Sequence, residues 1–267
     1  MPGSLIAGTA LLLAVLVVAI LGPLVLGTDV TTLHLEDALL PPSSAHLMGT
    51  DNFGRDVLAR VVNGALVDLQ IGFFSVVPAL CIGMLIGGLA AYYGGWADVL
   101  AMRLADIVVA FPFFVLVIAI VAVLGPGLTN MYIAVAAVGW TAYARLVRSE
   151  VLVAKQAEYV DAARALGYSD RRIILRHLVP NVGVQALIFA TSDFVLDILL
   201  GSSLGFLGLG AQPPAPEWGV MIADGRNFIT QAPWISTFPG LAIVVIGIAF
   251  SLLGDGLADY LRVEERR

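Results

Sequence analysis

Charged residues and cysteine are scarce in this sequence. Only 13% of its 267 residues are Asp, Glu, Lys or Arg, about half the share found in ordinary soluble domains. Cys81 is the single cysteine, which excludes an internal disulfide and a cysteine-based zinc site. His34, His46 and His177 lie far apart in the sequence and form no ligand pair, so no metal site is predicted. A net charge of -6 and the lack of a basic aromatic patch argue against nucleic-acid binding.

Apolar residues are abundant and lie in long runs. They make up 59% of the chain, and the mean hydropathy is +0.94. Each run approaches the roughly 20 residues that a helix needs to cross a bilayer. The six runs are Leu5–Leu26, Ile71–Tyr92, Ile107–Leu124, Met131–Leu146, Val182–Leu200 and Phe238–Leu253. The sequence therefore predicts an all-α membrane protein with six transmembrane helices.

The first run has two interpretations. It is long for the core of a signal peptide, and no charged segment precedes it, which favours a retained transmembrane helix over a cleaved signal. We therefore divide the chain into residues 1–69, a first helix plus an extracytoplasmic segment, and residues 70–267, the main transmembrane domain. A short charged turn over Asp98–Arg103 is expected between the second and third crossings.

The positions of Lys and Arg predict the orientation. With six crossings and the N-terminus inside, only Arg55, Arg60 and Arg226 of the 14 basic residues fall in outside segments. Cytoplasmic loops of membrane proteins are rich in Lys and Arg. The split therefore favours an even number of helices with both termini in the cytoplasm.

The longest basic cytoplasmic segment contains a helix–break–helix pattern. Glu158–Pro180 begins with small helix-forming residues, and Gly167 then provides a residue that tolerates positive φ at a helix end. Ser169 or Asp170 can cap a second helix that runs into the fifth crossing. From the pattern alone, this segment is either a docking helix for a soluble partner or a plain basic loop that fixes topology.

This segment resembles the cytoplasmic coupling loop of binding-protein-dependent ABC importer permeases. The matching residues are the triplet Asp161-Ala162-Ala163, then Gly167 four positions later and Pro180 thirteen beyond it. Asp replaces the usual Glu in the triplet. The ending Arg176–Asn181, read R-H-L-V-P-N, resembles the peptide and nickel branch of that family.

Two more segments strengthen the resemblance. His46–Asp56 is similar to the HxLGTDxxGRD stretch of C-type dipeptide/oligopeptide permeases. Leu204–Gly219 is similar to their FLGLG…PP…WG segment, and Pro239-Gly240 and Gly254–Leu257 fit their last helix. The resemblance covers about residues 46–260, with a departure at Ala258 and Tyr260.

The resemblance implies a type I ABC importer permease-like bundle with a cytoplasmic coupling helix. Such permeases pair with a homologous second permease subunit, two ATPase subunits and an extracytoplasmic substrate-binding protein. The coupling loop would span residues 155–180. The residues expected to couple to the ATPase are Glu158, Asp161, Ala162, Ala163, Gly167, Arg171 and Arg172. The sequence has no GxxxxGK[ST] motif, so we expect no enzyme activity and no cofactor in this chain, with ATP and Mg²⁺ bound by the partner ATPases.

Asp193 and Asp197 are the candidates for the translocation path. They lie four residues apart on one face of the fifth predicted helix. Carboxylates at membrane depth are costly and usually face a bundle interior or a water-filled path. They would contact the amino terminus of a peptide, or else bond to the partner subunit in a structural role.

The outside segments hold the candidates for docking a binding protein: Asp51, Asn52, Arg55, Asp56 and Trp218. The spacing of Asp51 and Asp56 does not match an EF-hand loop, so local capping and Asp–Arg pairing are expected instead of Ca²⁺ binding. A helix is expected to start near Asp56. For Trp218, docking and simple packing both remain open.

A secondary transporter or channel not coupled to ATP is the main alternative function, and a membrane scaffold is another. Either would explain six helices, but neither explains a segment built for a soluble partner. Within the importer interpretation, dipeptides are the favoured cargo. Oligopeptides, nickel chelates, glutathione and haem-like compounds remain open.

Overall fold

The computed structural model describes residues 2–27 and 29–265, with side chains up to residue 261. Arg266, Arg267 and the side chain of Arg262, which contribute to the predicted charge split, lie outside this part. The described chain is almost entirely helical. Its α-helices are α1 Gly3–Leu26, α2 Val57–Tyr93, α3 Gly95–Val109, α4 Phe113–Leu124, α5 Leu128–Ala154, α6 Glu158–Ala165, α7 Asp170–Ile173, α8 Val179–Phe206, α9 Trp218–Gly225 and α10 Trp234–Glu265.

Among the described residues, four helical segments are long and apolar enough to cross a membrane. They are Gly3–Leu26, Val57–Tyr93, Asp170–Phe206 and Trp234–Leu261. Helices α3 and α4 form a fifth candidate if the bent pair is one span. Helix α5 is 27 residues long, but its polar residues make it less apolar than these. The multi-pass helical bundle is confirmed, and the count of six crossings stays a prediction.

The third predicted crossing is wrong as a single helix. The chain bends by 86° between Gly95–Val109 and Phe113–Leu124. Pro112 explains the break, because a proline disfavours helical geometry at the preceding Phe111 and has no N–H to donate. The expected turn over Asp98–Arg103 is also wrong, since these residues lie inside α3.

Helix α2 is the central helix, and glycines let its neighbours approach closely. Gly83 and Gly87 lie directly against the backbone of α5 at Tyr143 and Ala144, where any Cβ would collide. Gly72 lies in the same way against the ring of Phe194 on α8. Small residues of this kind permit close helix packing in membranes.

Helix α1 packs along α10 at the outside of the bundle. Gly8 of α1 faces the backbone at Leu252 and Leu253, and Gly256 of α10 faces Leu5. Most of α1 is otherwise exposed on its surface, as expected for a helix surrounded by lipid or by another subunit.

The two ends of α2 carry different structures. Residues 29–56 and 211–233 pack around its start, and we call this the loop end. Residues 155–180, the coupling segment, pack around its finish. At about 1.5 Å per residue, the 37 residues of α2 separate the two ends by roughly 55 Å.

Candidate functional site: the coupling segment and a membrane-embedded acidic cavity

The coupling segment forms the predicted helix–break–helix. Helix α6 ends at a glycine with φ of 78°, Gly167. The Gly167 N–H donates to the Arg164 carbonyl at 2.9 Å, and the Tyr168 N–H donates to the Ala163 carbonyl at 3.1 Å. This pair of bonds is a Schellman motif, which requires a left-handed residue at the position of Gly167. The predicted helix end at Gly167 is confirmed.

Helix α6 has one buried face and one exposed face. Val160 and Ala163 are buried against the ends of the long helices, in a cluster with Val147 and Leu178. Ala162 lies on the exposed face, beside Gly167 at the helix end. Ala163 was predicted to couple to the ATPase, but its side chain is only 4% exposed and packs within its own chain. Ala162 and Gly167 are therefore the small residues open to a partner.

The predicted charged residues lie on the open side of the coupling segment. Glu158, Asp161, Arg171 and Arg172 are all exposed. Asp161 accepts a hydrogen bond from Arg164 at 3.0 Å, and the Arg172 guanidinium lies 3.8 Å from the Tyr168 ring centroid. Leu166, which the sequence analysis did not select, is 73% exposed at the end of α6. The surface therefore combines mixed charge with one apolar side chain, a composition suited to a protein partner.

Specific bonds fix the coupling segment to the long helices. Tyr92 at the end of α2 donates to the Asp170 carboxylate at 2.6 Å, and Lys155 donates to the Ala91 carbonyl at 2.7 Å. Ser169 occupies the N-cap position of α7 but makes no capping bond with its side chain. The side-chain cap expected from Ser169 or Asp170 is therefore absent here, and the Asp170 carboxylate accepts from Tyr92.

A π-helical turn over Ile174–Leu178 joins α7 to α8. Turns of this kind often mark functional positions in helices. His177 lies on the turn between two tyrosines, with ring centroids 6.0 Å from Tyr168 and 6.4 Å from Tyr159. After the break at Gly167, the chain is continuously helical from Asp170 to Phe206, so the second half of the coupling segment runs directly into α8.

The acidic pair lies on the wall of an open cavity at the surface of the bundle. Asp193 and Asp197 line a space of about 440 Å³, together with Phe113, Phe114 and Leu196 among others. Asp193 accepts a hydrogen bond from the Tyr143 hydroxyl at 2.7 Å. The structure therefore brings both predicted carboxylates to one apolar cavity, as their spacing of four residues indicated. Tyr143 was missed because its distance of 50 residues from Asp193 gives no signal in one sequence.

The loop end contains a buried ion network instead of a charged surface. Asp51, 3% exposed, accepts a bond from Arg55 Nε at 2.7 Å and lies 3.6 Å from Arg60 Nε. Arg55 also reaches Asp224 on α9 at 3.8 Å. Burial raises the pKa of Asp224, and the nearby Arg55 opposes that shift. Asp56 caps α2 by accepting from the Ala59 N–H at 2.9 Å. The predicted helix start and local Asp–Arg pairing are confirmed.

Burial changes the docking prediction for three residues at this end. Trp218 is 2% exposed, and its indole N–H donates to the Val61 carbonyl at 2.9 Å. It packs under α2 at Gly64, so packing is its role in this structure. Asp51 and Arg55 are buried as well. Asn52 and Asp56 are half-buried and stay candidates for docking.

His34, Glu36 and Asp37 bring possible ligand atoms within 4.8 Å of one another at the loop end. All three are exposed or half-buried. Exposed acidic groups like these are common without a metal ion, so the cluster does not define a metal site. The separation of the three histidines gave no sign of it, because its other members are carboxylates.

Comparison with known proteins gives a consistent result. The model of the family "Binding-protein-dependent transport system inner membrane component" matches residues 80–264. The dipeptide transport system permease protein DppC of Alkalihalophilus pseudofirmus is 44% identical over 96% of this chain and 84% of its own length. The glutathione transport system permease protein GsiD of Pectobacterium atrosepticum is 46% identical over 82% of this chain and 73% of its own.

A solved structure shares the fold. A chain of the inward-facing MetNI methionine ABC transporter aligns with a TM-score of 0.62 and 18% identity, covering 76% of this chain and 96% of that one. The family match includes the coupling segment, the acidic pair and the segment around Trp218. This chain belongs to the family of inner membrane components of binding-protein-dependent transport systems, and it is a membrane-spanning permease subunit of an ABC importer.

Proposed function

We propose that this chain is one membrane half of an ATP-driven importer of di- and oligopeptides. The proposal is carried by the acidic pair Asp193 and Asp197, which lines an apolar cavity inside a permease of this family. Two similar proteins are named for a dipeptide and for glutathione, and both of these cargoes are short peptides. Family membership sets aside the alternative of a secondary transporter or channel.

In this proposal, the assembly contains a homologous second permease subunit, two ATPase subunits and an extracytoplasmic binding protein. The chain lies in a bacterial-type cytoplasmic membrane with both termini inside. The exposed face of the coupling segment docks on an ATPase through Ala162 and Gly167. The surrounding charges Glu158, Asp161, Arg171 and Arg172 support this, because all are exposed. ATP and Mg²⁺ belong to the ATPase subunits.

Movement reaches the cavity through α8. This helix begins at the π-helical turn beside the coupling segment and carries Asp193 and Asp197 further along. Closure of the ATPases on ATP would push α6, and α8 would shift the cavity wall. The cationic amino terminus of a peptide suits two carboxylates in an apolar surrounding, where charge–charge attraction is stronger than in water.

Uptake by the reconstituted importer tests the cargo. Proteoliposomes would carry all subunits, with the ATPases facing the vesicle lumen and the binding protein outside. They should accumulate labelled di- and tripeptides only when ATP is present in the lumen. Asp193→Asn and Asp197→Asn should each lower peptide uptake by at least about tenfold, the loss expected for one charge-assisted hydrogen bond. Asp259→Asn, at an exposed site of α10, is the matched control and should not change uptake.

Two outcomes separate the alternatives. If neither variant of the acidic pair alters uptake in a fully assembled complex, the carboxylates do not contact the peptide. If the variants fail to assemble with the second permease subunit, the pair is structural. Absence of peptide uptake by the intact wild-type complex would overturn the peptide cargo itself.

A further inference from the structure

A second pair of buried carboxyl groups lies near the loop end. Asp68 of α2 and Glu217, the residue before α9, are both 0% exposed. Ser202 of α8 lies beside both carboxyl groups and is only 6% exposed. Among the ion pairs of the described residues, none includes Asp68 or Glu217. Two acidic side chains therefore meet in the protein interior without a cationic side chain bonded to either.

The hydrogen bonds distinguish the two groups. Glu217 accepts from two backbone donors, the Gly219 N–H at 2.7 Å on Oε1 and the Val220 N–H at 2.9 Å on Oε2. Asp68 accepts from one backbone donor among the described residues, the Trp218 N–H, at 3.1 Å on Oδ2. Asp68 Oδ1 and Ser202 Oγ are both buried without a hydrogen-bond partner. Of the four carboxyl oxygens, Asp68 Oδ1 is thus the one without a donor.

An uncompensated pair of ionised carboxylates is too costly in an apolar interior, and one of them takes up a proton instead. We propose that Asp68 and Glu217 form a proton-binding site in which Asp68 Oδ1 carries the proton and Glu217 remains ionised. The Asp68 O–H then donates to the polar side chains beside it, the Glu217 carboxylate and the Ser202 hydroxyl. A proton on either oxygen of Glu217 would instead point at a backbone N–H that already donates to that oxygen, and the two hydrogens would repel each other.

The surroundings are built to fit this pair. A Cβ at Gly205 of α8 would collide with Glu217 Oε2, and a Cβ at Gly219 would collide with the backbone of Ser202. Tyr132 of α5 is a further titratable side chain near Asp68. Burial raises the pKa of Glu217, while the backbone N–H groups of Gly219 and Val220 oppose the shift. These donors favour the ionised form of Glu217 and leave the proton to Asp68.

The residues around the bound proton come from three separate parts of the chain. Asp68 lies on α2, Ser202 on α8, and Glu217 and Trp218 begin α9. In the unfolded chain an aspartate is ionised above about pH 4, so unfolding at neutral pH releases the bound proton. At this site the folded state therefore binds one more proton than the unfolded state, so the stability that the site contributes falls as pH rises above about 4. This direction is opposite to that of an aspartate in an ion pair.

The asymmetry of the pair predicts effects of different size for two isosteric changes. In Asp68→Asn, the amide oxygen can accept from the Trp218 N–H while the NH₂ group replaces the O–H donor. In Glu217→Gln, the NH₂ group faces a backbone N–H and one acceptor is lost. We expect the melting temperature of the purified full chain to change by less than about 2 °C in Asp68→Asn and to fall by at least about 4 °C in Glu217→Gln. Asp68→Asn should also remove part of the loss of stability with rising pH.

Infrared spectroscopy of the full chain in lipid nanodiscs at pH 7 detects the proton directly. A protonated carboxyl has a C=O stretching band that a carboxylate lacks, and the band shifts in D₂O. The difference spectrum of wild type against Asp68→Asn should contain this band, and that against the exposed control Asp259→Asn should not. If Glu217→Gln does not fold, Asp68→Asn and the control still decide the result.

Three results would overturn the proposal. The band could be missing from wild type or unchanged in Asp68→Asn. Asp68→Asn could unfold as readily as Glu217→Gln, in which case an amide does not replace the group that Asp68 presents. A metal salt at fixed ionic strength could stabilise wild type but not Asp68→Asn. In that case a metal ion, and not a proton, compensates the charge of the carboxyl pair.

Discussion

The two ends of α2 use charged residues for different purposes. At the loop end, Asp51, Arg55 and Arg60 are at most 5% exposed, and both arginines pair with Asp51. In the coupling segment, Glu158 and Arg171 point to the outside of the bundle. Removing one member of a buried ion pair leaves a charge without compensation, whereas exposed charges contribute little to stability. The charged residues of the loop end therefore stabilise the fold, whereas those of the coupling segment stay exposed and available to a partner.

The largest effect on stability should come from breaking the buried network. Asp51→Asn leaves Arg55 and Arg60 buried without their shared carboxylate and should lower the free energy of unfolding by about 3–5 kcal/mol. Thermal unfolding of the purified chain in detergent measures this. Asp161→Asn in the exposed pair with Arg164 is the matched control and should unfold like wild type. Equal stability of the two variants would contradict the division between the ends.

Glycine substitutions in α8 and α10 sharpen the comparison of packing. Gly205→Ala places a methyl group onto the Glu217 carboxyl and should cost about 1–3 kcal/mol. Gly240→Ala in α10 meets no atom within 4 Å, so it should be neutral or slightly stabilising. The measurement is the unfolding midpoint in a denaturant series on both variants. A Gly205→Ala protein as stable as Gly240→Ala would mean that the carboxyl site is not closely packed.

At Gly167 the expected effect is on transport more than on stability. Its φ of 78° disfavours a β-branched side chain, although a Cβ at this position would meet no atom from the rest of the fold within 4 Å. Gly167→Val should abolish ATP-dependent uptake and leave membrane insertion intact, because it alters the docking face. Gly167→Asn is the control, since Asn tolerates the left-handed conformation, and it should retain more uptake than the Val variant. Normal uptake by Gly167→Val would remove Gly167 from the coupling role.

The smallest change in stability is expected for the arginines of the coupling segment. Arg171→Ala and Arg172→Ala should leave the unfolding midpoint of the isolated chain unchanged within error, because both side chains are exposed. They should weaken ATPase binding, and the salt sensitivity of the complex should fall because a charge contact is lost. Binding of the ATPase subunits to immobilised chain at several salt concentrations measures both effects. An unfolding midpoint lowered as far as in Asp51→Asn would show that these arginines serve the fold.

The sequence predicted features that depend on neighbouring residues. Long apolar runs predicted the helical bundle, and Gly167 predicted a helix end that the Schellman motif confirms. The spacing of Asp193 and Asp197 placed them on one wall. The break before α4 had a local signal as well, since Phe111-Pro112 lies inside the third run. The apolar length of the run favours one straight crossing, whereas Pro112 breaks it, and the proline decides the structure.

Other features depend on contacts between distant parts of the chain. Trp218 is covered by α2, which lies 150 residues or so away in sequence, so its burial could not be seen from its own neighbours. Ala163 is buried for the same reason, against the ends of α5 and α8. Asp68 and Glu217 are isolated acidic residues in the sequence, and only the folded chain places them together. Such contacts need either the structure or many related sequences.

Co-purification tests the central claim most directly. The tagged chain would be co-expressed with its second permease subunit and ATPase subunits, solubilised in mild detergent and isolated, in wild-type and Gly167→Val forms. The account predicts that wild type retains the ATPase subunits, and that Gly167→Val retains the second permease subunit but loses the ATPases. ATPase subunits held equally by both forms would contradict the assignment of the coupling segment as the docking element.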